Sequence, residues 1–215
     1  MTRILLTGFE PFGGEPVNPS REAVRLAAAD PMDGIDLQVR ELPCAFGAAG
    51  DALAAALREL RPAIVIGVGQ AGGRSAVGIE RVAINVDDAR IADNAGRQPI
   101  DEAIVADGPA AYFATLPVKA ILAALRAAGI PAEVSQSAGT YVCNHVFYRL
   151  MHLAAGEFPG MRGGFLHLPY APDQAVRHPG APSMTVEMAA RAVRIAAATS
   201  AEMAFDLRIA DGATH

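Results

Sequence analysis

The run Ala63-Ile64-Val65-Ile66-Gly67-Val68 limits the possible folds of this chain more than any other stretch. It is short, rich in β-branched residues and set between Arg61-Pro62 and a glycine cluster, so it reads as a strand. A strand that is apolar throughout has no face to give to water and needs a covering layer on each side, as in an α/β sheet. The rest of the sequence supplies the layers. Strand patterns cover residues 3–7, 36–42, 75–86, 132–135 and 163–170. Helical patterns start at Asn18-Pro19-Ser20, with Asn18 as cap, and recur over 46–60, over 117–128, from Cys143 to near Gly156, and from Ser183 through Ile195. No linker, repeat or composition shift divides the 215 residues, so one α/β domain over 1–215 is expected, loose beyond Ala210.

Composition narrows the function. The net charge is −5, with Lys119 the single lysine, which gives no basic footprint for nucleic acid or an anionic membrane. The apolar runs are far shorter than a membrane span and the start of the chain has no signal-peptide pattern, so a cytoplasmic protein is expected. The two cysteines, Cys44 and Cys143, are too few for a disulfide framework or a cysteine metal cluster. A small molecule or a peptide is the expected partner.

Gly67-Val68-Gly69-Gln70-Ala71-Gly72 matches the GxGxxG pattern of dinucleotide sites, and Asp87 and Asp88 follow at about the right distance. That fingerprint requires a helix whose N-terminus holds the pyrophosphate. Here 75–86 alternates as a strand, so the helix is missing. A non-catalytic nucleotide or small-molecule binder built on this loop is the rival reading from outside the enzymes. Glu80 lies within that alternating strand; it is either exposed on an edge face or buried with a partner, since a lone buried carboxylate is costly. The polar stretch 87–107, which contains Arg90 and Ile91, reads as a long functional loop.

Cys143 stands where the small-residue run 135–139 becomes a helix. Free N–H groups and the helix dipole favour a thiolate there, although most free cysteines are small buried hydrophobes. A catalytic thiol needs a base. His145 and His152, two and nine residues on, point to the opposite side of the same helix. His215 ends the chain, and His178 lies in a Pro- and Ala-containing loop with nothing to fix its ring. His167, near the end of the strand that follows the Cys143 helix, would meet the helix start if the strands flanking that helix are parallel. A satisfied core histidine is the other reading of His167. Glu80 is the strongest acidic candidate to orient its ring.

Several segments taken together resemble the pyroglutamyl peptidase I family: TGFEPFGG at 7–14 with NPS at 18–20, GVGQAGGR at 67–74, IERVAINVDDARIADNAG at 79–96, GTYVCNH at 139–145 and HLPYAPDQ at 167–174. They follow the family order over most of the chain. The resemblance implies a single three-layer α/β/α domain with a central twisted, largely parallel or mixed sheet, assembled as a cytosolic homotetramer that needs no metal or cofactor. It implies Cys143 as nucleophile, His167 as base and then acid, and Glu80 as orienting group. The N–H of Cys143 and the side chain of Arg90 are implied as oxyanion donors, which agrees with donors aimed where negative charge develops. The implied substrates are peptides with an N-terminal pyroglutamyl residue, cleaved through a thioacyl-enzyme. Phe9 and Phe12 would clamp the ring, Asn18 and Gln70 would bond the lactam, and Ile91, Tyr141 and Val142 would complete the pocket. Two departures stand out: Cys44 in the pocket wall in place of a small polar or β-branched residue, and Ala92 in place of a proline, which could loosen the loop holding Arg90. The runner-up among enzymes is a cysteine hydrolase acting on another amide or a cyclic imide.

Overall fold

The computed structural model describes residues 1–212. In chain order its elements are β1 (Thr2–Phe9), α1 (Pro19–Ala27), β2 (Ile35–Leu42), α2 (Ala48–Leu60), β3 (Ile64–Gln70), β4 (Val77–Glu80), β5 (Val82–Ile84), β6 (Ala111–Phe113), α3 (Val118–Ala127), β7 (Ala132–Ser135), α4 (Val142–Gly156), β8 (Arg162–Leu168), α5 (Pro172–Ala175) and α6 (Val186–Glu202). The main sheet has the order β2-β1-β3-β8-β4-β7. The apolar run is β3, buried from Ile64 to Gly69 between β1 and β8.

Alternation of side chains along the strands divides the core into two halves. Ile4, Leu6, Ile66, Val68 and Leu166 face α1, α3 and α6, where they meet Val24, Ile121 and Val193. Leu5, Val65 and Phe165 face α2 and α4, where they meet Leu53, Leu57, Val146 and Leu150. The result is a three-layer α/β/α domain with a mixed, mostly parallel sheet, as the family resemblance implies.

Two expectations are corrected. Residues 75–86 are not one strand. β4 pairs within the main sheet, the chain breaks at Arg81, and β5 leaves to pair antiparallel with β6. Alternation reports burial on one side and cannot reveal such a change of partner. Second, the strands flanking α4 are not parallel, because β7 runs parallel to β4 while β4 runs antiparallel to β8. Cys143 still reaches the carboxyl edge of β8, beside Gly69, because residues 136–141 carry the chain there from the end of β7 before α4 starts. Arg74 Nη2 donates to Ser137 O at 3.2 Å, and Thr140 Oγ1 donates to Asp88 O at 2.7 Å, fixing that return. α4 then descends along β8, with Leu150 and Met151 over Gly163.

α6 runs past the expected Ile195 to Glu202. Of the tail expected to be loose, Asp211 accepts from Arg126 Nη1 at 2.9 Å, and residues 213–215, including His215, lie outside the described residues. No described helix is long and apolar enough to cross a membrane.

Candidate active site

α4 begins after Gly139, whose positive φ of 78° turns the chain, and Cys143 falls in its first turn. The N-cap residue Tyr141 gives the helix no side-chain capping hydrogen bond, so the first N–H groups of α4 remain available to another acceptor. His167 and Glu80 come from β8 and β4. They share the sheet face that carries Phe165 and looks toward α4, since the intervening Leu166 and Ile79 point into the opposite core.

Glu80 is fully buried, and its Oε1 lies 2.7 Å from His167 Nδ1 and 2.8 Å from Arg74 Nη1. Burial pushes the Glu80 carboxyl up, but the His167 hydrogen bond and charge, with smaller help from Ser135 and Arg74, outweigh it and hold the group below its usual 4.5. An ionised carboxylate can only accept, so Nδ1 carries a proton, and in the neutral ring Nε2 is the nitrogen with the lone pair. Arg74, which lines the cavity and bonds Glu80, is a site residue that the sequence did not single out. Its only signal was its place at the end of GVGQAGGR, beside the cavity.

Cys143 is half-buried. Burial pushes its thiol well above the usual range; the neighbouring Cys44 and Glu80 act in the same direction and Arg74 opposes them. Burial thus works against the ionisation that the helix end favours. Cys44, in the same wall, is pushed up to about 12 by burial and by Glu10 and Asp93.

A cavity of about 180 Å³ opens between these elements. Phe9, Phe12, Asn18, Gln70, Tyr141, Cys143 and His167 line it, as do Arg74 and the departing residue Cys44. Phe9 belongs to the end of β1, and Phe12 to the loop beyond it. Tyr141 is braced by Phe12 at 6.0 Å and edge-on by Phe46 at 5.3 Å. Asn18 keeps its capping role, with Oδ1 accepting from Ser20 N–H at 3.1 Å. Larger depressions occur elsewhere, one of about 680 Å³ beside α3, but no cysteine or histidine lines it. Among the described residues no group of three or more His, Cys, Asp or Glu side chains is gathered as a metal site requires.

Three implied pocket residues lie outside that lining. Val142 is buried in the core on the α4 side, because the helix turn that aims Cys143 at the cavity aims its neighbour inward. Ile91 is 37% exposed, and Arg90 is exposed as well. Their loop is nonetheless tied next to Cys143. Asp88 N–H donates to Thr140 O at 2.9 Å and the Tyr141 hydroxyl donates to Ala92 O at 3.1 Å, so Ala92 is held without a proline. Arg90 lies two residues from each of these ties and does not line the cavity.

The other histidines among the described residues are engaged elsewhere. His145 pairs Nδ1 with Asp87 at 2.8 Å and accepts from Gly47 N–H at Nε2. His152 meets the Tyr112 hydroxyl at 2.9 Å. His178 is a correction: its ring is fixed, by Glu15 at 2.9 Å and by stacking on Tyr170 at 4.5 Å.

The glycines of the dinucleotide-like run also find their reason here. A Cβ on Gly67 would lie 2.4 Å from the Phe165 ring, and one on Gly69 would lie 2.6 Å from Cys143 Sγ. They clear space for the thiol and its aromatic support, and no helix follows them. Gly69→Ala is expected to lower kcat by about 100-fold through displacement of the sulfur. Steady-state kinetics with a thermal melt checks this, and an unchanged kcat in the folded variant contradicts it.

An α/β/α domain that sets a thiol and a carboxylate-backed imidazole on one cavity has the parts of a hydrolase that works by acyl transfer. A sequence model described as pyroglutamyl peptidase matches residues 2–203. Pyrrolidone-carboxylate peptidase of Cupriavidus pinatubonensis is 60% identical over 216 residues, and that of Streptomyces coelicolor 59% over 218, each covering the whole of both chains. The crystal structure of Bacillus amyloliquefaciens pyroglutamyl peptidase I superposes with a TM-score of 0.94 at 45% identity, covering 96% of this chain and 100% of that one. A mutant pyrrolidone carboxyl peptidase from the hyperthermophile Pyrococcus furiosus gives 0.90 at 43%, covering 94% and 99%. The chain belongs to the pyroglutamyl peptidase family, and it is accordingly an enzyme of the peptidase type.

Proposed function

We propose that this protein removes N-terminal pyroglutamyl residues from peptides, with Cys143 as nucleophile, His167 as general base and then acid, and Glu80 as the group that orients and charges the imidazole. The observation that carries the reading is the single cavity lined by Cys143 and His167, with buried Glu80 on the far ring nitrogen. As the sulfur attacks the pyroglutamyl carbonyl carbon, Nε2 of His167 takes the thiol proton. Proton transfer accompanies attack in this order, which suits a thiol whose ionisation burial opposes. The N–H of Cys143 and the side chain of Arg90, whose loop is tied to Thr140 and Tyr141, take the oxyanion. On collapse the C–N bond breaks, and His167 returns its proton to the departing amine. Water, deprotonated by His167, then cleaves the thioacyl-enzyme to release pyroglutamate and the free thiol.

Phe9 and Phe12 fit a flat ring, with Tyr141 closing the wall and Asn18 and Gln70 supplying polar groups. A proline ring lacks the carbonyl and would leave a buried donor unpaired, which a hydrogen-bonding site rejects strongly. The whole of 1–215 acts as one catalytic unit in this reading. It is a cytoplasmic enzyme, consistent with two free cysteines, and a homotetramer, consistent with apolar surface left at Phe113 and Phe205. The test is turnover of chromogenic pyroglutamyl and prolyl amides by the reduced protein: cleavage of the first and not the second supports the reading, and no turnover of the first rejects it.

A further inference from the structure

The segment HLPYAPDQ contains one residue that the catalytic reading does not use. Gln174, on α5, is completely buried and makes four hydrogen bonds through its amide. We infer that Gln174, without touching substrate, fixes which end of the Gln70 amide faces the cavity and so makes that wall a hydrogen-bond donor. The inference rests on the proposed function above.

The orientation of Gln174 is determined from both sides. Its Oε1 accepts from Ala171 N–H at 3.1 Å, and a backbone N–H can only donate. Its Nε2 faces oxygens that can only accept: Val17 O at 3.2 Å and Glu15 Oε2 at 3.4 Å. Glu15 remains a carboxylate, because Arg177 above all, helped by His178 and Gln174 and against the pull of burial, holds it below its usual value. Turning the Gln174 amide over would set carbonyl against carbonyl and leave an N–H facing an N–H. The third atom opposite Nε2, at 3.0 Å, belongs to Gln70 and is therefore its Oε1. Gln70 must then present its NH₂ on the other side.

Gln70 ends β3 and lines the cavity. The neighbouring Asn18 is committed in the same sense. Its Oδ1 is taken by the N–H and hydroxyl of Ser20, and one of its two amide hydrogens goes to Glu10 O. The polar wall therefore offers N–H groups to a ligand, which suits a ring edge carrying a carbonyl and not one carrying only CH₂. Gln174 is a positioning residue for specificity, and Glu15 anchors its segment to the loop before α1 through Gln174, Arg177 and His178.

The test is a double-mutant cycle read by KM for a pyroglutamyl amide and by Ki for 2-pyrrolidone, which carries the lactam alone. Gln174→Met frees Gln70 to rotate and is expected to raise both constants about tenfold while kcat changes little. In a Gln70→Met background the same substitution is expected to have no further effect, because its route to the ligand is gone. A general structural role would cost the same in both backgrounds, so equal losses overturn the inference, as does an unchanged Ki in Gln174→Met alone. Should Gln174→Met fail to fold by circular dichroism, Gln174→Glu carries the comparison. It keeps the acceptor for Ala171 and offers Gln70 an oxygen, so the Gln70 amide reverses and Ki rises; an unchanged Ki overturns the inference. Wild type that neither cleaves the amide nor binds 2-pyrrolidone overturns the catalytic reading and this inference with it, whereas active wild type with an indifferent Gln174→Met overturns the inference alone.

Discussion

Replacement of Cys143 by Ala is expected to lower kcat on a pyroglutamyl amide by on the order of 10⁵-fold, as removal of the nucleophile from a triad does. The size follows from the cavity itself. No second thiol can take over, because Cys44, although in the same wall, is buried, pushed up to about 12 and has no imidazole paired with it. His167 alone retains only general-base assistance to water. The fold is expected to survive, since Cys143 is half-buried and the α4 core is carried by Val146, Phe147 and Leu150. Binding of 2-pyrrolidone measured on the same sample separates a lost nucleophile from a lost cavity. Turnover that persists in Cys143→Ala, once wild-type carry-over is excluded, contradicts the assignment.

The second large effect is expected at Glu80. Glu80→Gln keeps the shape but removes the charge that holds the proton on His167 Nδ1 and stabilises the imidazolium formed during attack. A fall in kcat of roughly 10³- to 10⁴-fold with a modest change in KM is expected. A change confined to KM would assign Glu80 to binding. Acid stability gives an independent reading. The folded pKa of Glu80 lies below its ordinary 4.5, so its contribution is fully present above that value and is lost as the pH falls through the lower folded pKa. The wild-type protein should lose stability relative to Glu80→Gln as the pH drops below 4.5, in denaturant titrations run at several pH values. A constant difference across that range would mean that Glu80 is not the low-pKa carboxylate described here.

Much of the layering was legible in the sequence, because apolar period and caps are local signals. The β3 run, the Asn18 cap and the helix start at Cys143 all appear where local rules put them. Helix geometry alone removed His145 and His152, and the structure gives both other partners. What could not be read was direction and reach. The antiparallel β4 and the parallel β7 beside it depend on pairings between distant segments, so the parallel-strand route to His167 was wrong although the two side chains share a cavity. The same limit hid Arg74 and Gln174, whose partners include Ser137, 63 residues from Arg74, and Glu15, 159 residues from Gln174. It also obscured Val142, whose neighbour faces the cavity while it faces the core. Gly67 and Gly69 looked like a phosphate loop because close approach of any group, whether pyrophosphate or a cysteine sulfur, calls for the same residue.

The central claim is that Cys143 becomes acylated by the pyroglutamyl group. The most direct measurement is rapid acid quench of the enzyme during turnover of a pyroglutamyl ester or amide, followed by intact-mass analysis and peptide mapping. The account predicts a transient pyroglutamyl adduct on the peptide containing Cys143, absent in Cys143→Ala and accumulating further in a variant slowed in deacylation. Steady turnover with no adduct, or with the adduct on another residue, would contradict it.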